Sequence, residues 1–247
     1  MKAVERHRLK GNEFVHSVAR AREAVAERRG EVTILVAIAI VAVVVVGGLF
    51  AWRTNRNAKA TNLLASALAI AEAPVVAPPL PAPGSPPPVQ QPGTFRTERE
   101  RLEAALPRLQ QAADAYPNTD AGITARFRLA GSLAELGRYA EAEQRYQEVI
   151  GKAGTSSIYS RTARLGIGDA QMAQGKYDAA IATFKELSTD TQSQLPLDGV
   201  LMQLGRAAMQ AGKREEATRA FTRIVDEFPQ SLYAPEAKEK IAELKKA

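Results

Sequence analysis

The chain of 247 residues has no cysteine. That excludes a disulfide framework, a thiolate zinc site, a cysteine nucleophile and a lipid-modified amino-terminal cysteine. Histidine is almost as scarce, with His7 and His16 the only two, and both precede the first long apolar run. Everything after that run therefore lacks imidazole, so a Ser-His-Asp constellation and imidazole-based metal catalysis are unavailable there. No glycine-rich phosphate loop follows a strand pattern, and from Arg99 onward no alternating strand pattern of any length exists. The remaining acid-base candidates are carboxylates scattered over solvated helix faces. No enzyme, metal or cofactor is expected.

Charge is missing altogether from Val32 to Trp52, a run bounded by Glu31 and Arg53. At about 1.5 Å per residue a helix of that length spans about 32 Å, close to the roughly 30 Å of a bilayer's hydrocarbon core. A soluble core helix would carry a polar face. Trp52 closes the run where an indole favours the headgroup layer. A cleaved signal peptide is the rival reading, but the leader up to Glu31 and the apolar run both exceed its usual regions, and no small-x-small site follows directly. The expectation is an uncleaved transmembrane helix over 32–52.

Eight Lys and Arg residues precede the run, and three (Arg53, Arg56, Lys59) fall between Trp52 and Ala73. Basic residues are retained on the cytoplasmic side, so the amino terminus is expected inside and the remainder outside, in the periplasm of a bacterium. The net charge of +6 would point to nucleic acid if it lay on the soluble part. It does not: residues 98–247 carry 21 basic and 21 acidic residues, and the excess lies wholly in 1–97. Nucleic acid is not an expected partner.

The leader, 1–31, has a narrow apolar stripe of Phe14, Val18, Ala21 and Val25. It reads either as a basic helix on the inner leaflet or as a solvated leader that only sets topology. After the anchor, residues 53–73 are rich in Ala and Leu and form a helical stalk or the first helix of a repeat, with Leu64, Leu68 and Ala71 on one face. Nine of the chain's 14 prolines fall between Pro74 and Pro92, a stretch that spans up to roughly 60 Å as polyproline II, so residues 74–97 read as an extended loop or linker. A proline-rich ligand for a partner is the second reading of that segment.

Residues 98–247 are helical throughout and contain a repeat. Three segments align on Gly137, Gly175 and Gly212, spaced 38 and 37 apart. Eight residues before each glycine stands Leu129, Ile167 or Leu204, followed by Ala130, Gly168 or Gly205. Five after it comes Ala142, Ala180 or Ala217, then Tyr146, Phe184 or Phe221, then Val149, Leu187 or Ile224. A glycine that ends a first helix supplies the positive φ of a tight turn, the small residue lets two antiparallel helices approach, and the alanine and aromatic fill the gap. One such hairpin cannot bury its apolar face alone, so the hairpins must stack.

The edges fit the same scheme. Ala115-Tyr116-Pro117 parallels Glu227-Phe228-Pro229, so Arg99 to Ala115 reads as the second helix of a repeat whose first helix is Ala58 to Ala73. Ala234 to Ala247 is a charged amphipathic helix with Ala237, Ile241 and Leu244 inward, suited to capping the stack. The fold class is all-α: one transmembrane helix followed by a superhelix of three to four hairpins and a capping helix.

The three segments are similar to the tetratricopeptide repeat in its Leu-Gly, Gly-x-Tyr, Ala and Phe positions. They depart from it at Arg214 (for the turn tyrosine), at Ala130 (for the glycine) and in a period above 34. The whole architecture, with its Tyr-Pro-x-Thr and Phe-Pro-x-Ser exits, resembles the YfgM family of ancillary subunits of the bacterial Sec translocon. That resemblance implies a periplasmic scaffold that links the translocon to folding factors, with protein partners such as translocon subunits, exported clients or chaperones. The alternative is a self-associating structural module of the cell envelope or an envelope-assembly adaptor, so a homo-oligomer stays open.

In such superhelices the binding surface is the concave face of the first helices. Counting ten, six and three residues back from each glycine selects one helical face: Phe127, Gly131 and Ala134, then Leu165, Asp169 and Met172, then Met202, Arg206 and Met209. Three of the four methionines lie on it, and a flexible, polarisable lining suits apolar or helical peptides of varied sequence. The opposing reading makes these methionines ordinary packing between neighbouring helices.

Overall fold

The computed structural model of the chain describes residues 19, 29–77, 90–154, 157–190 and 194–246. Among these it has nine helices and no strand, in two compact units that divide at Asn55 and Arg56. The leader's stripe at Phe14, Val18, Ala21 and Val25 lies outside the described residues, as do 78–89 of the proline-rich segment.

The first unit holds the apolar part of α1 (Arg29–Ala71). Its mean hydropathy reaches 3.1 with none of the apolar window buried, and Ile34, Val43 and Phe50 are 62, 72 and 70% exposed. A helix that is apolar on every side and covered by no protein is long and apolar enough to cross a membrane.

In the second unit, the end of α1 is packed instead of bare. Ala60 and Ala67 are buried, Ala67 in one cluster with Ala105 and Leu109 of α2 (Glu98–Ala115). Leu63 and Leu64 rest on Ala112, Ala113 and Ala125. Thr97 caps α2 by accepting the Glu100 N–H, and Pro107, which has no N–H to give, sits inside this helix on its exposed side. There the orphaned carbonyl faces water. Between α1 and α2, Val75 pairs with Phe95 in a single parallel bridge.

Three hairpins follow: α3 (Asp120–Glu135) with α4 (Tyr139–Ala153), α5 (Ile158–Ala173) with α6 (Tyr177–Thr189), and α7 (Leu197–Gln210) with α8 (Arg214–Glu227). Gly137, Gly175 and Gly212 hold φ of 77, 71 and 72°. The N–H after each one reaches the carbonyl five positions back: Arg138 to Leu133 at 2.8 Å, Lys176 to Gln171 at 2.9 Å, Lys213 to Ala208 at 2.8 Å. This is the Schellman closure, which needs a left-handed residue and so favours glycine. The exits also repeat: Tyr116 and Phe228 close their helices at φ/ψ of −137/61 and −131/57.

Close packing explains the small residues. A Cβ on Gly168 would stand 2.4 Å from the Phe184 ring, and one on Gly205 would stand 2.3 Å from Phe221. The first hairpin has Ala130 at this place, and its aromatic goes elsewhere: Tyr146 lies against Gly166 of the next hairpin, where a Cβ would come within 2.5 Å of the ring. Successive hairpins touch through α4 with α5 and α6 with α7, and α3 meets α5 as α5 meets α7. Among the described residues the second helices α4, α6 and α8 have no comparable mutual contact. The first helices thus line the inner side of the curve. The last helix, α9 (Ala234–Lys246), packs on α8, with Ala237 fully buried and Ile241 and Leu244 against the same core.

Candidate protein-binding groove

The inner face between α5 and α7 is both concave and chemically mixed. Leu165 and Asp169 come from α5 and Val200, Met202, Gln203 and Arg206 from α7; with Tyr233 they enclose a cavity of about 220 Å³. Of the residues selected by helical spacing, Leu165, Asp169, Met202 and Arg206 meet here. Asp169 and Met172 also line a second, more open depression with Tyr177 and Gln203. Phe127 lies apart, in a mixed hollow with Leu68, Leu102, Arg101, Arg128 and Glu135. Met209 is half-buried against the core.

The three methionines differ in burial. Met202 is 1% exposed and belongs to the core, whereas Met172 and Met209 are half-buried at its margin.

A polar chain runs across this face. Gln203 donates to Asp169 Oδ1 at 2.9 Å, Arg206 Nη1 donates to Gln203 Oε1 at 3.4 Å, and Arg206 Nη2 donates to Glu236 Oε1 at 2.7 Å. It links α5, α7 and α9. Desolvation by the surrounding protein raises the Asp169 carboxyl above the usual aspartate range, against the pull of the Gln203 bond. A carboxylate so placed gains by meeting a cation.

Spacing along the helices does not reach Leu195, Pro196, Gly199 and Tyr233, which complete the cavity. Three of them precede or begin α7 and one precedes α9. A signal exists all the same, because Tyr159, Pro196 and Tyr233 occupy one register position in successive repeats. Among the described residues no group of His, Cys, Asp or Glu side chains converges to hold a metal ion.

Outside the groove, hydrogen bonds and ion pairs tie neighbouring helices together. Glu143 of α4 accepts from Gln171, Gln174 and Lys176 at 2.9, 3.0 and 3.1 Å. Burial pushes its carboxyl up, but these three donors outweigh that and hold it below the usual range. Arg126 of α3, nearly buried, pairs with Asp114 at 3.2 Å and Glu148 at 3.1 Å.

No curated protein matches the sequence. Solved structures share the fold: nearly identical tetratricopeptide-like repeats from Podosopora anserina (14% identity, 60% of this chain and 80% of that one, TM-score 0.51), MamA (16%, 60% and 79%, 0.50) and a tetratricopeptide repeat protein from Parabacteroides merdae (16%, 60% and 55%, 0.50). At such identities the likeness concerns the fold alone. The profile of the family described as tetratricopeptide repeat-like domain matches residues 32–245, from the first residue of the apolar run into the last turn of α9, and the chain belongs to that family.

Proposed function

We propose that this protein is a membrane-anchored interaction scaffold, whose repeat domain receives segments of other proteins on its inner face between α5 and α7. The observation that carries this reading is the cavity that α5 and α7 leave on that face, lined by Leu165, Val200 and Met202 and crossed by the Asp169–Gln203–Arg206 chain. Tetratricopeptide-type folds are in general non-catalytic protein-binding scaffolds, and the family profile takes in the apolar helix together with the repeats.

The anchor is residues 32–52, the repeat domain 98–247, and the stretch 53–73 serves as the first helix of the stack. The cytoplasmic face holds the amino terminus and the periplasm holds the repeats, as the eight-to-three basic asymmetry favours. The partners are translocon subunits, exported clients or folding factors, in keeping with the YfgM-like architecture. Alkaline phosphatase fused after Ala247 tests the location. It should be active, and an inactive fusion made in good yield would overturn the periplasmic assignment and the translocon role with it.

A further inference from the structure

The repeat contains its own picture of what is missing from the groove. Between α3 and α5 the protein fills the inter-helix site with an aromatic ring. Tyr159 stands with its centroid 6.0 Å from Phe127 in an edge-on arrangement, and Thr124 Oγ1 lies 2.8 Å from its hydroxyl. One repeat further along, Thr162 takes the place of Thr124 and Leu165 that of Phe127, but Pro196 takes the place of Tyr159. The neighbouring ring cannot fill the gap, since Phe184 is turned onto Gly168 of its own hairpin. What remains is the cavity of about 220 Å³, smaller than the roughly 300–1,000 Å³ of small-molecule sites. It is the size of a side chain.

We propose that the Pro196 cavity receives one aromatic side chain, phenylalanine or tyrosine, from an extended partner segment that carries a lysine or arginine beside it. The ring replaces the one the repeat omits, and Asp169, exposed at the rim, meets the cation. This assignment rests on the scaffold reading and deepens it.

The test uses the full chain in detergent micelles and a fluorescein-labelled dodecapeptide of glycine and serine with Lys-Phe-Lys at its centre, read by anisotropy. The Phe peptide should bind roughly ten- to a hundredfold tighter than the same peptide with Ala, and tighter than with Leu. Pro196→Tyr, which supplies the ring from within, should abolish that binding; Gly199→Leu, one turn further along α7 and facing Tyr233, fills the cavity should the first variant fold poorly. Equal binding of Leu and Phe peptides, or undiminished binding by both filled variants, overturns the aromatic assignment and leaves the scaffold reading standing. If the Phe peptide does not bind and crosslinks formed through position 173, beside Asp169, in intact membranes are also unchanged by Pro196→Tyr, the groove reading falls as well.

Discussion

The Val76 N–H donates to the Phe95 carbonyl at 2.8 Å while the Phe95 N–H donates to the Pro74 carbonyl at 3.0 Å. Pro74, Val76 and Phe95, near the two ends of the proline-rich segment, therefore meet at one place, and the prolines between need not hold those ends apart. Replacing residues 78–89 with a short glycine-serine linker should leave the melting temperature within about 2 °C, because loop-closure entropy varies only slowly with length. Circular dichroism of the full chain in micelles checks this, and a drop of about 10 °C, more than loop length can account for, would mean the segment packs on the domain.

The glycines of the first helices give a graded prediction. Gly168→Ala and Gly205→Ala drive a methyl into Phe184 and Phe221, rings with no exposed surface, and should cost about 1–3 kcal/mol each. Gly131→Ala meets only the Tyr146 hydroxyl at 3.8 Å, an ordinary contact. It should be neutral or stabilising by up to about 1 kcal/mol through helix propensity. Chemical denaturation of the three variants ranks them.

The methionines separate in the same way. Met202→Glu places a charge in the core and should abolish the cooperative transition. The double change of Met172 and Met209 to Glu should leave the domain folded, since both sit at the margin, and should weaken partner crosslinking. Loss of the transition in the double variant would make both residues core.

The two shifted carboxylates respond to pH with opposite signs. Asp169 is raised, so the folded domain binds its proton more readily than the unfolded chain, and its unfavourable contribution fades as pH falls through the folded value. Asp169→Asn keeps the Gln203 bond and should raise the melting temperature at neutral pH, an advantage that vanishes below about pH 4. Glu143 is lowered, so its stabilisation is present above about pH 4.3 and lost as pH falls through the folded value. Glu143→Gln should lower the melting temperature at neutral pH and match the parent in strong acid. Thermal scans from neutral to acid pH decide both.

Much of the fold is legible in the sequence because each feature is local. Gly137, Gly175 and Gly212, recurring at a nearly constant interval, mark the Schellman turns, and Tyr116-Pro117 and Phe228-Pro229 share one exit geometry because the same residues impose it. The face counted back from those glycines brings Leu165, Asp169, Met202 and Arg206 to one cavity. What spacing cannot supply are the non-local substitutions. Tyr146 forsakes Ala130 for Gly166, Val75 finds Phe95 across the proline-rich segment, and a proline at position 196 empties a site that a tyrosine fills in the preceding repeat. Each depends on three elements at once, which no single helical period encodes.

The most direct test of the scaffold reading places p-benzoylphenylalanine at Ala173, exposed on α5 one turn beyond Asp169 and beside it in the open depression, or at Arg219, whose side chain is 69% exposed on α8, and irradiates intact membranes. Discrete crosslinked partners are expected from position 173 and not from 219, and they should disappear in the Pro196→Tyr background. Equal crosslinking from both positions, or products at 219 alone, would contradict a binding site between α5 and α7.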